Sequence, residues 1–348
     1  MNDEMSRREF LKTTVGAGAV LVAGSILSET RTASSAVKLN ELDKLVITII
    51  TDNYYDALRP DAPVTRRFRT APGQWMHAEH GLSYFIEAAS NGQTSGFMFD
   101  YGLDAPGVKR NMDVLGLDVG KANAFGLSHG HFDHWGAMIT MLSTNKAKIK
   151  KGTPLYLGEE AFLNRYSLVP GTNDRLDIGQ LSKTDIEALD LVRVIEIKNP
   201  TEVIPGAYFT GNIERVTTYE KVPPSLLVKR GDAIVVDSFP GEQAMAFNVK
   251  GKGLVVLSSC AHAGIINTVK HVQKMTGVDK VYAVVGGFHL VNAPQQVIES
   301  TVADMKAINP DWIVPAHCTG FEATITFAKE MPTKFILNTA GTKYTFAA

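Results

Sequence analysis

The chain has 348 residues, 45% hydrophobic and 20% charged, with 35 basic and 36 acidic side chains and a net charge of -1. That balance gives no basic excess to argue for an electrostatic nucleic-acid binder, and the apolar content is enough for a large core. Two cysteines, Cys260 and Cys318, exclude a disulfide-built scaffold. No run reaches the roughly 18 apolar residues of a membrane-spanning helix.

Residues 1–36 read as an address and not as fold. Residues 6–12 are SRREFLK, with Arg7 and Arg8 ahead of Phe10 and Leu11; a Gly/Ala-rich apolar run covers 15–27, and Ser34-Ser35-Ala36 supplies small residues for cleavage. This is the order of a bacterial signal peptide, and the paired arginines resemble the twin-arginine class. The resemblance implies export of a folded protein by the twin-arginine machinery to the periplasm or beyond. The mature domain would then be 37–348, with no stable membrane span after cleavage.

Residues 45–51 (LVITIIT) form a β-branched run that predicts a buried strand. Residues 53–80 are polar, with three prolines, and predict a long irregular excursion of the kind that often carries function. Residues 82–88 and 96–100 predict strands paired around Asn91-Gly92. A short helix is expected over 108–115, a strand over 123–128 and an apolar helix over 135–142. Further strands are expected near 192–197, 208–210, 225–229 and 233–236.

Beyond residue 250 the pattern repeats in kind. A strand at 254–257 precedes Ser258-Ser259-Cys260-Ala261-His262, and a helix over 265–275 stops at Gly277. A strand at 281–285 precedes Gly286-Gly287-Phe288-His289, and Pro294 opens a helix that ends near 308. A strand at 312–314 precedes Pro315-Ala316-His317-Cys318. Each of the three strands is followed closely by a histidine, and ligand sites in α/β folds collect beyond the carboxyl ends of strands.

Residues 127–135 read LSHGHFDHW, which places His129, His131, Asp133 and His134 within six residues. Neutral imidazole and carboxylate together suit zinc, iron and other first-row ions. His129 and His131 are two apart and share a direction in extended chain. Asp133 and His134 sit where the chain turns into the next helix and can aim at a neighbouring point. Two ligand pairs with different directions suggest two ions a few ångströms apart.

The segment H-G-H-F-D-H resembles the HxHxDH signature of the metallo-β-lactamase superfamily. Residues 260–265, 286–290 and 317–320 extend the likeness to the subgroup labelled 7,8-dihydropterin-6-yl-methyl-4-(β-D-ribofuranosyl)aminobenzene-5'-phosphate synthase-like. The resemblance implies a four-layer αββα sandwich of two mixed sheets with helices outside. It implies one ion on His129, His131 and His262 and a second on Asp133, His134 and His317. The two divalent ions would be zinc, with manganese or iron as alternatives. The superfamily usually has an aspartate that bridges both ions between the third and last histidine motifs. Here His289 holds that place, and a neutral imidazole with one free lone pair cannot bridge.

The expected activity is hydrolysis of a small-molecule ester, lactone, amide or phosphodiester by a metal-activated water. Asp133 would orient the water as well as ligate, and the second metal or His289 would stabilise the leaving group. The alternatives are a pterin-linked synthase or transferase, a di-iron redox protein and an exported metal-binding protein. Several other residues admit two readings. Cys260 is a soft ligand or a small buried residue. His77, Glu79 and His80 line the site or cap a strand. Trp75, Tyr54 and Tyr55 form an aromatic wall or pack in the core. His271 reads as solvated. Ser258 and Ser259 lack the G-x-S-x-G elbow of a serine nucleophile.

Overall fold

The structure is a computed structural model and describes residues 36–169 and 171–348. The signal-peptide reading falls almost entirely outside those residues. Residues 36–348 form one compact unit.

The strand Lys44–Thr51 is followed by a hairpin, Ser83–Ser90 and Gln93–Tyr101. Asn91 and Gly92 join its arms with φ of 52° and 75°, the two left-handed residues of a type I′ turn. These three strands lie inside an eight-stranded sheet. One side of it continues through Ala122–Gly126, Thr153–Gly158 and Val192–Ile197, the other through Lys343–Ala347 and Thr65–Arg66. A seven-stranded sheet faces it. Its chain order has Gly253–Ser258, Val281–Gly287 and Trp312–Ala316 in parallel register. Parallel neighbours need crossovers, and the helices Ile265–Thr276 and Gln295–Ile308 supply them.

Period-two alternation sorts the side chains into layers. Leu45, Ile47, Ile49, Tyr84, Ile86, Phe97 and Phe99 point inward, onto Phe209, Phe247, Val255, Leu257 and Val285 of the facing sheet. Phe85, Met98 and Phe125 point outward, under Val108, Met112, Met138 and Met141 of the flanking helices. On the other sheet Leu254, Val256 and Val284 pack under Ile266, Val269, Ile298 and Val302. The result is the four-layer αββα sandwich the sequence implied. None of its described helices is long and apolar enough to cross a membrane.

Three features depart from expectation. The apolar helix expected over 135–142 is two pieces, Phe132–Trp135 and Met138–Thr144. The break lies at Gly136, which packs tightly on the Leu103 backbone, and the Ala137 N–H turns to Gly102 O at 3.4 Å. A third sheet of four strands, Arg165–Leu168, Arg175–Gly179, Leu226–Arg230 and Ala233–Val236, stands apart from the two main ones. His271 is only partly exposed: its Nδ1 accepts the Glu214 N–H at 3.3 Å and its Nε2 meets Thr210 O at 3.2 Å.

Candidate metal centre

The strand ends bring the predicted residues to one rim. His129 and His131 follow Ala122–Gly126, and Asp133 and His134 lie in the short helix behind them. His262, His289 and His317 each follow one of the three parallel strands. The backbone is bent to this purpose. Asp100, Phe239, Ala261, His289 and His317 all hold left-handed φ, between 46° and 59°. Non-glycine residues there cost of order 1–3 kcal/mol each, and such strain gathers at functional sites.

His129 and His262 face each other, Nε2 to Nε2, at 3.2 Å. The His131 ring lies 4.7 Å from that of His129 and 4.8 Å from that of His262, centroid to centroid. Burial pushes all three imidazoles well below their ordinary pKa, and the neighbouring rings add to this. They are therefore neutral, with lone pairs available.

A second group centres on Asp133. Its Oδ2 lies 3.2 Å from His317 Nε2, 3.5 Å from His134 Nε2 and 3.6 Å from His80 Nε2. Burial raises the Asp133 carboxyl, but His134 and His317 outweigh it and hold it well below the usual carboxylate range. Burial lowers His134, but Asp133 and Asp100 together outweigh that and lift it to about 10. His80 stacks on His317 at 4.9 Å. His77 and Glu79 do not join this group. They pair at 3.2 Å, and Glu79 accepts the Leu103 and Asp104 N–H groups.

His289 stands against His262, with ring centroids 4.1 Å apart. Its Nδ1, like Nδ1 of His262 and both ring nitrogens of His317, has no hydrogen-bond partner of good geometry among the described residues. A buried polar group left so costs about 1–3 kcal/mol. Converging neutral imidazoles, a low-pKa carboxylate and orphaned ring nitrogens fit a cation.

A cavity of about 620 Å³ opens beside His262 and His289. Pro223, Phe288, Leu290 and Val291 give it apolar walls, and exposed Lys221 stands on its lining. Trp75, Tyr54 and Tyr55 are not part of this lining. Trp75 lies under Arg110 and Tyr55 near Phe68.

Several residues that hold the site in place had gone unnoticed in the sequence. Asp100 accepts Ser128 N and Ser128 Oγ at 2.7 Å, His134 Nδ1 at 2.8 Å, and Ser259 Oγ. It thereby keeps a proton on His134 Nδ1 and aims Nε2 at the centre. Asp52 accepts the His317 N–H at 3.1 Å. Glu242 accepts the N–H groups of His262 and Ala263 at 2.8 and 2.7 Å. An acid closing an otherwise apolar strand was the available signal for Asp52 and Asp100. From the small sheet and the loop after it come Arg165, Asp237 and Phe239. Arg165 pairs with buried Asp237 at 2.9 Å, and Phe239 stacks on His262 at 3.9 Å. No local sequence pattern announced them.

Among proteins of known sequence, the chain is 34% identical over 264 residues to the 7,8-dihydropterin-6-methyl-4-(β-D-ribofuranosyl)-aminobenzene-5'-phosphate synthase of Methanocaldococcus jannaschii. The match covers 74% of this chain and 87% of that protein. The uncharacterized protein MJ0448 of the same organism is 26% identical over 71% of this chain and 86% of its own length. Among solved structures, Tm1679, named a metal-dependent hydrolase of the β-lactamase superfamily, superposes with a TM-score of 0.67. It shares 24% identity over 87% of this chain and 100% of its own. No family model matches the chain.

Proposed function

Since the chain belongs to the family of that Methanocaldococcus jannaschii synthase and carries the metallo-β-lactamase fold, we propose that it is an enzyme holding two divalent metal ions and hydrolysing a small-molecule ester, lactone, amide or phosphodiester. The observation that carries this reading is the convergence of His129, His131 and His262 beside Asp133, His134 and His317 at one rim. The first three would hold one ion and the second three the other. Zinc suits the imidazole-rich set, with manganese or iron as alternatives. Such ions supply Lewis acidity and lower the pKa of water to about 7.

The remaining work falls to the chain. Asp133, only partly buried, orients the attacking water through the oxygen nearest His134 and His317. His289 forms part of the cavity wall, from which its ring would stabilise the leaving group. The apolar walls exclude water and receive a flat or ring-bearing body. Lys221 offers charge to an anionic substituent. The sequence of residues 1–36 supports export by the twin-arginine route as part of the same proposal.

One observation favours a second reading. The identity to a named synthase points to joining a reduced pterin to a ribosylated aminobenzene phosphate. Two incubations of zinc-loaded protein separate the readings: a panel of esters, lactones and phosphodiesters, and a mixture of the two synthase halves read by mass spectrometry. Hydrolysis that disappears in folded His131→Ala supports the first reading. A joined product without hydrolysis supports the second. Equal hydrolysis by wild type and His131→Ala would sink the metal-centred mechanism.

A further inference from the structure

The two ligand groups lack the carboxylate that would tie them together. Between His262 and His317 the acids are Asp279, Glu299, Asp304 and Asp311. Asp279 and Asp311 lie in the turns ahead of parallel strands, and Glu299 and Asp304 lie on the helix Gln295–Ile308. All four are therefore away from the strand ends that carry the site.

What stands between the groups is a sulfur. Cys260 is buried, and its Sγ lies 3.2 Å from His134 Nε2. Single ligand atoms of His129, Cys260 and His262 all lie within 4.8 Å of one another, and so do those of His134, Cys260 and His317. Cys260 is thus common to a set drawn from each group.

We infer that the Cys260 thiolate is a ligand shared between the two metal positions, taking the place of a bridging carboxylate; this rests on the two-ion reading above. The chemistry allows it. A thiolate is the metal-binding form of cysteine and carries several lone pairs, so unlike an imidazole it serves two ions at once. Thiolate also favours zinc over hard oxygen-seeking ions. Binding requires the thiol to release its proton to solvent as the ion enters. The backbone supports the placement, because left-handed Ala261 (φ 59°) turns the chain so that Cys260 and His262 both face the centre. Cys318 lies 3.3 Å from Cys260, sulfur to sulfur, but shares a set only with Cys260 and His289. It is a neighbour of the bridge and not the bridge itself.

The test replaces zinc by cobalt(II) in the full-length protein and in the Cys260→Ser and Cys318→Ser variants, and records near-ultraviolet and visible absorption with the bound metal counted. Wild type and Cys318→Ser are expected to show an intense sulfur-to-cobalt charge-transfer band. Cys260→Ser is expected to lose the band and keep the visible bands of histidine-bound cobalt. Cobalt bound by wild type without a charge-transfer band overturns the thiolate ligand and leaves the two-ion reading standing. A band that survives in Cys260→Ser and vanishes in Cys318→Ser overturns the choice of cysteine. No cobalt bound by wild type overturns both. If Cys260→Ser fails to fold, Cys260→Ala and the selenocysteine replacement, with its shifted band, decide in its place.

Discussion

Replacing Asp100 by Asn changes one atom and should disturb the centre from behind. The carboxylate receives four donors: Ser128 N and Oγ at 2.7 Å, His134 Nδ1 at 2.8 Å and Ser259 Oγ. One oxygen takes the Ser128 N–H and the other takes the remaining three. An asparagine can settle in two ways. With its NH₂ toward Ser128 N, a buried donor faces a donor, which costs about 1–3 kcal/mol of stability. With its NH₂ toward His134, it donates to Nδ1 and forces the ring proton onto Nε2. That nitrogen faces Asp133 and Cys260, so its lone pair is lost to the metal. Loss of such an orienting partner typically costs 10–100-fold in metal affinity, or about 1.4–2.7 kcal/mol. Zinc affinity by chelator competition and urea unfolding of the metal-free protein measure the two branches. An Asp100→Asn protein that matches wild type in both would refute the claim that this carboxylate sets the His134 tautomer.

Two further outcomes follow from the buried charges. Burial lifts Glu242 to about 7, against the two N–H groups that pull it down. Its folded pKa thus lies above the unfolded value near 4.5, so its contribution to stability is present below about pH 4.5 and fades as pH rises through about 7. The loss should be about 3 kcal/mol in metal-free protein. Urea unfolding at about pH 5 and about pH 8 should show a pH slope that Glu242→Gln flattens, and an unchanged slope would refute the assignment. Arg165→Met leaves Asp237 buried with Arg230 at 3.8 Å and the Phe239 N–H as its partners. It should cost about 3 kcal/mol, the low end for breaking a buried pair, and Arg165→Met with Asp237→Leu should cost less. A double variant worse than the single one would contradict this.

The sequence alone determined the candidate ligand residues and the strands that carry them. His129, His131, Asp133 and His134 are contiguous, and His262, His289 and His317 each follow an apolar β-branched run, so local pattern sufficed. The Asn91-Gly92 hairpin and the helix stop at Gly277, a left-handed cap with φ 69°, were legible for the same reason: the backbone there requires a conformation few residues adopt.

Only the tertiary structure decided what those residues are held by and how they face. Asp52 holds the backbone of His317, 265 positions along the chain, and Asp100 holds Ser259, 159 positions along. The small sheet exists because strands separated by more than fifty residues pair, Arg165 beside Val228, and its loop carries Phe239 onto His262. The place of Cys260 between the two groups was likewise invisible. A cysteine two residues from a histidine can point either way, and here the left-handed turn at Ala261, fixed by packing of the whole rim, sets its direction.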